Sequence, residues 1–199
     1  PAYLLFEAAN SGVVRFAVQR TFHNVELSIP TIYNFGLLAV NFGLLATLAA
    51  KAWMRAESTK LHWAALALIF LLMTYDEAAE VHEELARMMR AFVPESPFLY
   101  YPWTIAGAIF VIIVAVVYLP FVRRLPSHVS KLFLLSGTIY VLGAIGVETI
   151  GSWAIVTRGE TLLYYQLSVV EESMEMLGMA IFGFALLIML EDSERFKLR

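Results

Sequence analysis

The stretch PWTIAGAIFVIIVAVVYLPFVR, residues 102–123, decides the fold. It carries no charged side chain from Pro102 to Val122 and closes on Arg123. A helix rises about 1.5 Å per residue, so the run is long enough to cross the roughly 30 Å hydrocarbon core of a bilayer. Hydrocarbon offers backbone amides no partner, and a spanning segment satisfies them internally as a helix. Strict apolar–polar alternation is absent, which removes the strand reading.

Four more runs of the same kind flank it, near 31–54, 61–86, 130–156 and 162–190. The breaks between them are punctuated: Lys51 to Lys60 is charged, Pro94 and Pro97 flank an acidic turn, Arg123-Arg124-Leu125-Pro126 closes the third span, and Arg158-Gly159-Glu160 separates the last two. Hydrophobic residues make up 60% of the 199, charged residues only 16%, and mean hydropathy is +0.71, all outside the range of a water-soluble domain. The expectation is one all-α domain over residues 1–199, an integral membrane bundle of about five transmembrane helices. Residues 1–29 mix apolar and charged side chains and are expected as an interfacial amphipathic helix or the end of a helix that starts earlier.

Charge distribution sets the orientation and excludes some functions. Lys51, Arg55, Lys60, Arg123, Arg124, Lys131, Arg195, Lys197 and Arg199 fall on one side of the bundle, against Arg15, Arg20, Arg87, Arg90 and Arg158 on the other. The richer side is expected to be cytoplasmic, which places the C-terminus inside and residues 1–29 outside. Net charge is −3 and no basic patch alternates with aromatics, so nucleic acid is not an expected partner. With no cysteine, thiolate clusters and cysteine nucleophiles are ruled out. No Gly-x-Ser-x-Gly and no phosphate-cradling glycine loop occurs.

The acids are out of place. Of 17 acidic residues, Asp76, Glu77, Glu80, Glu83, Glu148, Glu171, Glu172 and Glu175 lie within or at the end of apolar spans. An ionised side chain at mid-membrane costs a few kcal/mol on the mildest scale. No Lys or Arg occupies comparable depth, so protons or metal ions are expected to neutralise them. Counting the helical rise puts Glu77 about 24 Å and Glu148 about 27 Å from the basic ends of spans two and four, and Glu172 about 15 Å below the opposite end of span five. Three helices thus offer acids at one level. On span five Ser168, Glu171, Glu172, Glu175 and Met179 share a stripe, and on span two Asp76, Glu77, Glu80, Glu83 and Glu84 share a face. Around Glu148, Gly143, Ala144, Gly146, Gly151 and Ser152 let a neighbouring helix approach. His82 points away from Glu77 and Glu80 on an ideal helix, so it either makes a different contact or marks a distortion such as a π-bulge.

Three readings follow: a carboxylate–histidine metal centre, a proton or cation pathway, and protonated acids that hold the bundle together. The leading one takes Glu77, His82, Glu83, Glu148, Glu172 and Glu175 as metal-ligating residues. Their mixed oxygen and nitrogen donors suit iron, manganese or zinc better than copper(I). His23, His62 and His128 lie off mid-span, and the methionines read as core filler.

The chain resembles a group of uncharacterised bacterial multi-pass membrane proteins. The resemblance rests on Ile29-Pro30-Thr31, on Asp76-Glu77-Ala78-Ala79 with His82-Glu83, on Glu148, and on Glu171-Glu172 with Glu175-Met176-Leu177-Gly178. It implies the same bundle in the bacterial inner membrane, and that Asp76, Glu77, His82, Glu83, Glu148, Glu172 and Glu175 form the functional set. It brings no activity. The expectation is a membrane-embedded metal-binding protein, in its sharpest form a metal-dependent enzyme acting on a lipid or quinone-like substrate. The alternatives are a proton- or cation-conducting protein and an accessory subunit bound to partner subunits of a larger membrane complex.

Overall fold

A computed structural model describes residues 29–195 of the chain, so the N-terminal segment expected at 1–29 lies almost wholly outside the described residues. The described residues are helical, with no strand among them. The elements are α1 (Ile29–Met54), α2 (Lys60–Ala79), α3 (Val81–Met89), a short 3-10 turn (Pro97–Leu99), α4 (Trp103–Val122), α5 (Ser127–Val141), a π-helical segment (Leu142–Val147), α6 (Glu148–Arg158) and α7 (Leu162–Arg195). Five helical stretches are long and apolar enough to cross a membrane: Pro30–Met54, Lys60–Ala79, Trp103–Val122, Ser127–Arg158 and Leu162–Asp192. The fourth combines α5, the π segment and α6. Pro30 opens the first helix, where its missing N–H has no intrahelical role. Gly159, at φ 73°, ends the fourth span in a conformation that side chains resist.

The second span departs from the continuous helix expected over 61–86. It stops at Ala79, and Glu80 takes a left-handed conformation (φ 50°, ψ 39°) before α3 restarts. The distortion expected near His82 is therefore a one-residue break. The π turn sits on a different span, directly before Glu148.

Helix α1 packs against α2 and α7, and α7 also packs against α5, the π segment and α6. Helix α4 stands at the edge, touching α3, α5 and the π segment, and α2 through Phe121. It leaves Ile109, Phe110, Ile112, Ile113, Val116 and Val117 exposed, a surface suited to lipid tails.

Most of the buried apolar core lies toward one end, where α1 finishes, α2 starts, α4 finishes, α5 starts and α7 finishes. Leu45, Leu48, Trp63, Phe70, Phe121, Val129, Phe133, Phe182 and Leu186 fill it. Their rings form a connected series: Phe121 on Trp63 (centroids 4.9 Å), Trp63 on Phe133 (6.3 Å), Phe133 on Phe182 (4.7 Å) and Phe182 on Phe70 (4.8 Å). This is also the end that carries Lys51, Arg55, Lys60, Arg123 and Arg124.

Two glycines set how closely α7 lies on the fourth span. A Cβ on Gly178 would stand 3.0 Å from the Ser136 carbonyl oxygen and 3.0 Å from the Tyr140 nitrogen. A Cβ on Gly143 would stand 2.9 Å from Met174 Cβ and 3.1 Å from the Glu171 carbonyl oxygen. Gly178→Ala should therefore destabilise the detergent-solubilised protein by about 1–3 kcal/mol, the usual range for overpacking. Gly43→Ala, where a Cβ meets nothing within 4 Å, should leave the thermal midpoint unchanged. Equal midpoints for the two variants would refute the tight α7 contact.

Candidate functional site

The end of the bundle opposite the ring series is polar. Its first feature is the α2–α3 break. Asp76 accepts a hydrogen bond from the backbone N–H of His82 on Oδ1 (2.8 Å) and meets the ring Nδ1 of the same histidine with Oδ2 (2.9 Å). The Glu80 N–H closes onto the Asp76 carbonyl oxygen at 2.7 Å. One aspartate thus caps the restarted helix and fixes the imidazole, which also lies against Trp103 (ring centroids 5.2 Å). With Nδ1 engaged, Nε2 is the nitrogen left to act. Burial disfavours the His82 imidazolium, but the hydrogen bond and charge of Asp76, with Glu83 and Glu148 farther off, outweigh it and raise the pKa above the usual histidine value.

On the opposite flank Asn34 of α1 reaches α7. Its amide nitrogen donates to Glu175 Oε2 at 3.2 Å, and Glu77 of α2 lies within reach of the same side chain. Asn34 is 4% exposed. Asn41 lies seven residues further along the same helix and donates to the Met179 carbonyl oxygen at 3.0 Å, in space that Gly183 leaves open.

The π segment widens the fourth span immediately before Glu148. The Glu148 side chain lies within reach of that of Glu171 on α7. Nearby, the Tyr101 and Tyr164 hydroxyls meet at 3.1 Å. Burial first, then the Tyr164 hydroxyl, pushes the Tyr101 phenol above its ordinary range, so it stays neutral.

The six expected ligands are thus distributed. Glu175 lies within electrostatic reach of Glu77, Glu148, Glu172 and His82. His82 feels Glu148 and Glu83 as well as Asp76. Glu83 itself is exposed on α3, because the break at Glu80 takes it off the face it would share with Glu77 on an unbroken helix. Among the described residues, no group of three or more His, Asp and Glu side chains is arranged to hold a metal ion. Nor does any ion pair there join a Lys or Arg to Glu77, Glu148, Glu171, Glu172 or Glu175; pairs such as Arg55–Glu57, His82–Asp76, Arg87–Glu84 and His128–Asp192 form elsewhere. Asp76 gains a structural role, and Asn34 and Asn41 enter as residues that a search confined to acids passed over. Their signal was available: two amides on one face of an otherwise apolar span.

Fold and polar end together define a multi-pass helical membrane protein. The chain belongs to the family described as Domain of unknown function (DUF8692), which matches residues 9–190. Comparison with curated proteins and with solved structures returned no match.

The His82 shift has a definite sign. Because the folded value is raised, the Asp76–His82 pair stabilises fully below the unfolded value of about 6.5 and loses that contribution as pH rises through the folded value. Thermal melts of the wild type should show this loss on the alkaline side of about pH 6.5, and Asp76→Asn should flatten it. The imidazole titration followed by NMR should move down in the same variant. An unmoved titration would dissociate His82 from Asp76.

Proposed function

We propose that this is a metal-binding membrane protein of the bacterial inner membrane whose polar end faces away from the cytoplasm. The ligands are drawn from Glu77, His82, Glu83, Glu148, Glu172 and Glu175. The observation that carries the reading is the Asp76–His82 pair. A carboxylate on one ring nitrogen fixes tautomer and orientation and raises the basicity of the other, the arrangement found behind metal-bound histidines. Glu148 and Glu175, within electrostatic reach of that imidazole, supply anionic oxygen. Half-buried carboxylates that no Lys or Arg among the described residues pairs with are relieved of repulsion by a cation, so binding would draw them together. The donor set favours iron, manganese or zinc, and the setting favours a metal-dependent oxidoreductase or hydrolase acting on a lipid or quinone-like molecule that enters from the bilayer.

One contact favours a second reading. The approach of the Glu148 and Glu171 carboxyls suits a site that stores or relays protons. Against a full transmembrane route stands the ring series, which packs the basic half with apolar side chains among the described residues. A role as accessory subunit to a larger complex needs a partner that copurifies.

Elemental mass spectrometry of protein purified in mild detergent should find bound transition metal in the wild type. Glu148→Gln and Glu175→Gln should lose most of it, Asp76→Asn should weaken binding about 10–100-fold as a partner of the ligating histidine, and Glu191→Gln should retain it. A metal-free wild type, after reconstitution with iron, manganese and zinc, would remove the metal reading and leave the proton-pathway one. Orientation has its own check, aided by a chain without cysteine. In intact cells an impermeant thiol reagent should label Arg90→Cys and spare Arg124→Cys; the reverse pattern would invert the topology.

A further inference from the structure

The basic end of the bundle contains a cavity of about 250 Å³, where the closing turns of α1 and α7 meet the first turn of α2 and the α4–α5 connection. Lys51, Arg55, Glu57 and Asp192 supply its charges, and Leu48 and Met189 are among its apolar walls. Lys51 lies three residues before the end of the first span at Met54, and Asp192 ends the fifth. The charges therefore stand at the height of lipid headgroups, while Leu48 and Met189, each three residues farther in, stand about 4.5 Å deeper. Next to the cavity on α1, Trp53 is exposed and carries Lys60 Nζ 4.5 Å over its ring, a pairing that suits the membrane–water boundary.

The lining is balanced, with two cations and two carboxylates. A ligand of one sign would meet two groups of its own sign. The ion pairs here are long: Arg55 to Glu57 is 3.6 Å, and Asp192 to His128, just outside the lining, is 3.5 Å. Charge-assisted hydrogen bonds close to about 2.7–2.9 Å. Opposite charges held this far apart can each reach a ligand that carries both signs. The volume falls short of the roughly 300–1,000 Å³ of a pocket for a drug-sized ligand, so it suits a small group whose remainder stays outside. We propose that this cavity seats the headgroup of a membrane phospholipid of the ethanolamine type, with its acyl chains left in the bilayer. Lys51 and Arg55 donate to the phosphate, and the three N–H groups of the primary ammonium turn to Glu57 and Asp192. A glycerol headgroup offers the carboxylates no cation.

The full chain in mild detergent is offered an equimolar mixture of phosphatidylethanolamine and phosphatidylglycerol with identical acyl chains, and bound lipid is counted by native mass spectrometry. The ethanolamine lipid should exceed the glycerol lipid by about fivefold or more, the worth of one near-surface charge. Asp192→Asn should bring that ratio close to one. Lys51→Gln should lower the binding of both lipids, and Lys131→Gln, at the same end but outside the lining, should change neither. A thermal melt of each variant checks its fold, and Glu57→Gln takes the place of Asp192→Asn if that variant does not fold. Equal binding of the two lipids by the wild type, or preference for the glycerol lipid, would overturn the proposal. So would an ethanolamine preference that survives loss of the carboxylate, because the lipid would then be held elsewhere. Phosphoethanolamine without acyl chains is the last probe: displacement of the lipid at equal concentration would make the ligand a soluble zwitterion and overturn the lipid assignment.

Discussion

The polar end depends on how closely α7 lies against the fourth span. Gly178 and Gly143 bring the two backbones together along the segment that carries Glu171, Glu172 and Glu175. Without a driving force from water, helices in lipid associate through such close van der Waals packing and through hydrogen bonds between them. Once that contact is made, Glu171 meets Glu148 across it. Asn34 closes the other side by bonding Glu175. The acids are therefore held by backbone packing rather than by their own attraction, which suits groups that repel one another when ionised.

The two ends of the bundle solve opposite problems. At the basic end, rings from α2, α4, α5 and α7 fill the space between helices, and Lys51, Arg55, Lys60, Arg123 and Arg124 sit at the boundary. At the other end, helix geometry itself is spent on polar groups: a left-handed residue at Glu80, a π turn before Glu148, and an aspartate that serves both a helix start and a histidine. Irregular backbone at membrane depth persists where protein or a polar cavity surrounds it. Here each irregularity lies beside a carboxylate.

The spans were legible because hydrophobic length speaks for itself: residues 102–123 carry no charge before Arg123, and no other element fits them. The acids on α2, α6 and α7 were legible as residues that hydrocarbon should exclude. The break at Glu80 was not, because Glu-Ala-Ala-Glu-Val-His-Glu-Glu contains no glycine or proline and favours an unbroken helix. What overrides that preference is Asp76, which bonds both the backbone and the ring of His82, and neither bond is visible from spacing. Glu83 was grouped with Glu77 by helical period, and the same break separates them. The glycines at 143 and 146 announced close packing but not the wider turn. Asn34 was in plain view as a polar side chain in an apolar run, and attention to acids alone missed it.

The ring series has an electrical consequence. A membrane potential falls mainly across the least polarisable material in its path, here the packed apolar half of the bundle. Charge moved through the whole potential gains about 2.3 kcal/mol per 100 mV. An ion that reaches the half-buried carboxylates from the polar end crosses only the remaining fraction of that drop. The distribution of ions at that end should follow concentration and pH closely and the energised state of the cell only weakly.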